Sequence, residues 1–203
     1  QFAAALGNVC TVVIAAALFD WVYQTAIGGP FLSQAAAMHV LDSFHPLHSG
    51  TLFFAAFTGV LLWMSSLFAG WFENAVTFRK IPEALAHHPW GGRVFGVKRM
   101  RKLARFVDKE SVAFGGSVSL GFFLGMTPAF AGFVGLPLDV RHVTLSAGAL
   151  TLAAAALGPD ILRTSEFAMA CLGVGCIGLL NFGVSFMLAL AVALRARDVR
   201  RRE

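Results

Sequence analysis

Thr51 to Phe72, TLFFAAFTGVLLWMSSLFAGWF, is a run of 22 residues without one charged side chain. A helix needs about 20 mostly apolar residues to cross roughly 30 Å of hydrocarbon. This run therefore asks for lipid as its solvent. The rest of the chain agrees. Charged residues make up 13% of it, where soluble domains carry about 25%, and 20 phenylalanines stand against a single tyrosine, Tyr23.

Three further segments have the length and polarity of spans. Ala3–Thr25 holds Asp20 as its only charge, near one end. Phe114–Val134 holds none. Phe167–Leu194 has 28 residues and would be about 42 Å long as a helix, so it must tilt or reach into the headgroup layer. Val143–Gly158, with 16 residues rich in alanine, is short for a crossing.

Charge placement sets the topology. Of the 16 Lys and Arg residues, nine lie between Glu73 and Ala113, and five follow Leu194: Arg195, Arg197, Arg200, Arg201 and Arg202. By the positive-inside tendency both clusters belong on the cytoplasmic side, and Gly28–Gly50, with no Lys or Arg, belongs outside. An even number of spans must then separate loop and tail. The sequence thus predicts an all-α, multi-pass transmembrane helical bundle. It has four spans plus a short re-entrant or interfacial helix at 143–158, and five spans is the alternative. Residues 1–203 read as a single membrane domain. Because the chain begins at Gln1, it is expected to be the C-terminal fragment of a longer protein. Residues 73–113 form a basic cytoplasmic loop and 195–203 a basic cytoplasmic tail.

Within that loop, KRMRKLARFVDK (98–109) sorts by helical periodicity. Lys98, Arg101, Lys102, Arg105 and Lys109 gather on one side and Met100, Leu103, Ala104 and Val107 on the other. Basic amphipathic helices of this kind lie in the headgroup layer and pair with anionic lipids. No aromatic platform or reader motif accompanies the cations, so nucleic acid is not the expected partner of this fragment.

In the third span Ser117, Gly121, Gly125 and Ala129 recur every four residues, a small-residue face suited to close helix packing. Asn181 lies midway through the fourth span, where a buried amide serves as interhelical glue, with Ser185 one turn on. Asp20 beside Trp21 and Tyr23 reads as a solvated acid in an interfacial belt. Asp139 and Arg141 are expected at the outer boundary, paired with Asp160 or Glu166. His39, His45 and His48 with Asp42 are a weak metal-ligand set whose spacing matches no standard motif. Cys10, Cys171 and Cys176 lie in apolar runs and behave as small hydrophobes. No catalytic signature or cofactor fingerprint is present, and no cofactor is expected.

Several strings together are distinctive: AAFTGVLLWMSSLFAGWFEN (55–74) followed by RKIPEALAHH (79–88), GGSVSLGFFLGM (115–126), GLPLDVRHVTLSAG (135–148) and IGLLNFGVSFMLAL (177–190). The chain resembles the C-terminal membrane part of the bacterial site-specific recombinase transmembrane protein family, from about Gly28 to Arg197. The resemblance implies a bacterial inner-membrane protein with an N-terminal part upstream, and it supplies no catalytic residue that maps onto a position here. A tyrosine recombinase needs a nucleophilic tyrosine among Arg and His, and the one tyrosine, Tyr23, falls at the membrane boundary. Ser111, the one serine in the basic loop, has no catalytic context. Two functional classes are left besides recombination. One is an anchor or scaffold for an upstream cytoplasmic region, contacting anionic headgroups and open to homo-oligomerisation. The other is a small-solute transporter or channel.

Overall fold

The computed structural model describes residues 2–202, with side chains from 6 to 196. The side chains of Arg197, Arg200, Arg201 and Arg202, and the whole of Glu203, lie outside the described residues. All regular structure among the described residues is helical. In chain order the helices are α1 (Phe2–Ile27), α2 (Gln34–Ser43), α3 (Thr51–Phe78), α4 (Ile81–Ala86), α5 (Pro89–Phe95), α6 (Val97–Val134) and α7 (Val143–Leu157). A 3-10 turn (Pro159–Arg163) then leads to α8 (Ser165–Arg202).

Four segments are long and apolar enough to cross a membrane: Leu6–Ile27, Thr51–Phe78, Val97–Val134 and Ser165–Ala196. They overlap the four spans read from the sequence. Most of their apolar side chains are exposed, among them Ile14, Leu18, Phe53, Phe122, Phe130, Leu179 and Phe186. Apolar surface on this scale marks contact with lipid or with other protein.

Two compact units divide the chain. The first comprises residues 1–60 and 136–203 and the second residues 61–135, so the boundary falls inside α3. In the first unit α7 is the hub, in contact with α1, α2 and α8. Its composition suits this: Ser146, Ala147, Gly148 and Ala153 are buried, and small side chains let helices approach closely where apolar burial gives no net drive. The core gathers Ala37 and Leu41 of α2, Ala55 of α3, Leu150 and Ala153 of α7, and Ala170 and Ile177 of α8. At 15 residues α7 is about 22 Å long, too short for a full crossing. Gly158, at φ +85°, ends it. The Gly28–Gly50 segment is not a plain loop, because Ser33 caps α2 there by accepting from the Ala36 N–H.

The second unit holds the rest of α3 with α4, α5 and α6. The basic segment is structured throughout. Lys80, in the left-handed region at φ 51°, ends the helical run of α3. Pro89 opens α5, where His88 Nδ1 accepts from the Gly91 N–H. Residues 98–109 are helical as expected, but they are not a separate element. They open a continuous 38-residue helix about 57 Å long, because no glycine or proline interrupts Val97–Phe114. Their apolar side is also partly occupied: Met100 and Ala104 are buried, α6 contacts α4 and α5, and Met100 lies over Gly91.

Ser117, Gly121, Gly125 and Ala129 are all exposed, and neither Gly121 nor Gly125 has a neighbour at its Cβ position. They do not form the packing face within this chain. That role belongs to a row two residues out of register with it, Ser111, Gly115 and Ser119, which is buried. A Cβ on Gly115 would come 2.9 Å from the Phe72 ring, and Ser119 Oγ donates to the Gly115 carbonyl at 2.8 Å. Period four alone cannot choose between two rows of small residues on one helix. The bulk of Phe72 on α3 makes the choice.

Candidate functional site

The polar groups of the first unit converge on Asn181. This residue is fully buried and lies halfway along the apolar Ser165–Ala196 stretch. Its amide has no spare capacity on the donor side. Nδ2 donates to the carbonyls of Ala55 and Arg141, both at 2.9 Å, and Oδ1 accepts from the Val143 N–H at 3.1 Å. One side chain thus joins the first turn of α3, the segment before α7 and the first residue of α7 to the middle of α8. The physical reason is backbone satisfaction. Where the chain is not helical, as at Arg141 and His142, its amides need partners, and inside a membrane none can come from bulk water. At Asn181, which the sequence marks as interhelical glue, the partners are backbone groups. Ser185, one turn on, faces only the Phe182 carbonyl at 3.5 Å.

Arg141 extends the node. Its N–H donates to Thr58 Oγ1 at 2.9 Å, and one guanidinium nitrogen donates to Ser43 Oγ at 3.2 Å. The other pairs with Asp139 at 2.7 Å, and the guanidinium carbon sits 5.0 Å from the centre of the Phe44 ring, within cation–π range. The expected pairing with Asp160 or Glu166 is therefore corrected. Asp139, two residues away, takes the cation, and the Arg141 carbonyl is fixed at the mid-point of α8. Thr51 Oγ1 donates to the Ser43 carbonyl at 2.6 Å, closing the end of α2 against α3. Arg141 Nε and His142 Nδ1 are buried without a hydrogen-bond partner. Burial pushes the His142 imidazole below its ordinary range, since the charged form would lose its hydration.

Glycine admits the node's closest contact. A Cβ on Gly173 of α8 would stand 1.8 Å from the Phe44 carbonyl oxygen, so only hydrogen fits where α2 ends against α8. Gly59 plays the same part on α3, with the Leu180 carbonyl 2.9 Å from its Cβ position.

Asp20 belongs to the same unit and is shut off from solvent. It is 1% exposed, so the solvated reading is wrong. Its carboxylate accepts from the Phe31 N–H at 2.9 Å and from Gln24 Nε2, fastening the turn after α1. Tyr23 packs edge-on against Phe31.

The histidines do not assemble. His45 and His48 stack with ring centres 4.4 Å apart, and His45 Nδ1 is engaged by the Leu47 and His48 N–H groups. His39 stands apart, and no group of three His, Cys, Asp or Glu converges among the described residues. On α6, Lys98, Arg101, Lys102, Arg105 and Lys109 are all exposed, with Lys109 in a loose 3.8 Å pair with Glu110. Sequence reasoning missed Ser43, Thr51, Thr58 and Gly173 as parts of the node. The seven-residue spacing of Thr51 and Thr58 placed both on one face of α3 and was the available signal.

Fold and site define an all-helical protein whose four apolar helices mark it for a membrane, with a backbone-satisfying polar node between helices. The chain belongs to the site-specific recombinase family, whose family model matches residues 1–203, in keeping with the resemblance carried by its sequence strings. No curated protein and no solved structure matches the chain.

Proposed function

We propose that this chain is a multi-pass inner-membrane anchor or scaffold. It holds a cytoplasmic region at the bilayer, with the Glu73–Ala113 segment and the tail on the cytoplasmic side. One observation carries the reading. The polar centre at Asn181 is closed, with the amide fully buried and engaged by backbone groups. A solute path needs polar groups that face water and exchange partners, whereas this node spends them on fixing the chain. The basic loop adds cations that favour an anionic cytoplasmic leaflet.

The geometry also favours four crossings over five. Val143 starts α7 at Asn181, and the 3-10 turn after α7 packs on α8. So α7 retraces the first half of α8, and a half-length helix that retraces its neighbour leaves the parity of the basic loop and tail intact. Recombination is the family's description, and the residues give it little chemistry here. Tyr23 packs among phenylalanines, and Ser111 is buried in α6.

The test joins retention and permeability. A soluble reporter fused ahead of residue 1 is expected to stay with membranes through carbonate extraction. Liposomes holding the purified chain are expected to take up small polyols and ions no faster than empty ones. Release of the reporter by carbonate, or solute uptake that Asn181→Leu abolishes, would overturn the anchor reading.

A further inference from the structure

An open groove of about 350 Å³ runs along the first unit where α7 and α8 part, walled by Val13, Leu150, Ala154, Leu162, Phe167 and Cys171. Its volume falls in the range of small-molecule sites, about 300–1,000 Å³. Its lining differs from theirs, because they add placed polar groups to an apolar wall. Here the one hydroxyl, on Thr151, is spent on the Ala147 carbonyl at 2.8 Å. The wall therefore offers nothing to a polar ligand and suits a hydrocarbon chain.

The groove has a direction. Ala154 and Phe167 flank the turn between α7 and α8, while Ala147 and Val174 mark the far end. From Phe167 to Val174 it follows α8 for roughly 10 Å. Exposed charge lies at the turn end. Asp160, Arg163 and Glu166 are all exposed there, and none makes an ion pair with another described residue. One cation between two carboxylates, at the mouth of an apolar slot that starts at the end of a candidate span, matches a zwitterion joined to a hydrocarbon chain. The guanidinium suits a phosphate, and the carboxylates suit an ammonium.

We propose that this groove binds one acyl chain of a phospholipid with a zwitterionic, ammonium-bearing headgroup, phosphatidylethanolamine in type. The chain lies between α7 and α8, and the headgroup sits over Asp160, Arg163 and Glu166. This rests on the membrane-embedded reading above.

Cys171, exposed in the groove wall, reports occupancy. The full chain carrying Cys10→Ala and Cys176→Ala, purified in lauryl maltoside, is alkylated with N-ethylmaleimide at fixed detergent concentration. Dioleoyl phosphatidylethanolamine, dioleoyl phosphatidylglycerol or oleic acid is added in turn. With phosphatidylethanolamine at ten times its dissociation constant, alkylation is expected to slow by about tenfold. Native mass spectrometry is expected to show one such lipid retained. Ala154→Phe, which fills the slot, should abolish the protection. Arg163→Gln, on the surface, should weaken it while leaving the thermal unfolding midpoint unchanged. Equal alkylation rates with and without phosphatidylethanolamine would overturn the site. Equal or stronger protection by phosphatidylglycerol or oleic acid would overturn the headgroup assignment and with it the proposal. Carbonate extraction separates the two readings. A chain that stays in the membrane but shows no protection refutes the lipid site alone, and a chain released from it refutes the anchor.

Discussion

The two units use different means of holding helices together. In the first, Asn181 and Arg141 tie three helices through directed bonds to backbone groups. In the second, Gly115 and Ser119 of α6 let Phe72 and Ser65 of α3 come close, and the polar contacts are mostly a helix bonding to its own carbonyls. The difference follows the backbone. The first unit contains the non-helical stretch before α7, whose amides need outside partners. In the second, α3 and α6 meet as long regular helices that satisfy themselves, so shape suffices there.

The sharpest way to break this contrast is at the tightest approach. Gly173→Ala sets a methyl against the Phe44 carbonyl, a backbone atom that cannot swing aside. We expect a loss of about 3 kcal/mol, the upper end of ordinary overpacking, read as a large drop in Tm in detergent. An unchanged Tm would mean that α2 does not end against α8. Next comes Asn181→Leu, similar in size but without hydrogen bonds. It orphans the Val143 N–H and the Arg141 carbonyl, removes the second donor from the Ala55 carbonyl within α3, and should cost about 2–3 kcal/mol, with faster amide hydrogen exchange at Val143 as the local sign. Tolerance of leucine would show that the node is ornamental. The smallest effect is expected in the second unit. Gly125→Ala meets no neighbour and should stabilise α6 by about 0.5–1 kcal/mol through helix propensity. A destabilised variant would instead reveal a partner packed on that face.

Much of the architecture was legible because lipid imposes a simple rule: long uncharged runs become helices. The four spans, the short α7 and the helical 98–109 segment all follow from composition and period. Asn181 stood out equally, as a lone amide in an apolar run. The partners were not. Nothing local says that Arg141, close in sequence to Asp139 and far from Ser43 and Thr58, will join all three, because that depends on how α2, α3 and α7 meet. Asp20 misled for a related reason. An acid beside Trp21 and Tyr23 looks interfacial, and the turn that brings the Phe31 N–H back onto it leaves no local mark. The small-residue face on α6 was misplaced by two positions because small residues occupy both rows.

The uninterrupted course of α6 has a mechanical side. From Val97 to Phe114 it holds neither glycine nor proline, so its cationic start and the first ring of its apolar stretch behave as two ends of one lever. A push on the arginines near residue 100, from a bound macromolecule or a change in leaflet charge, must reappear as a swing at Phe114, since no glycine or proline along the way can absorb it.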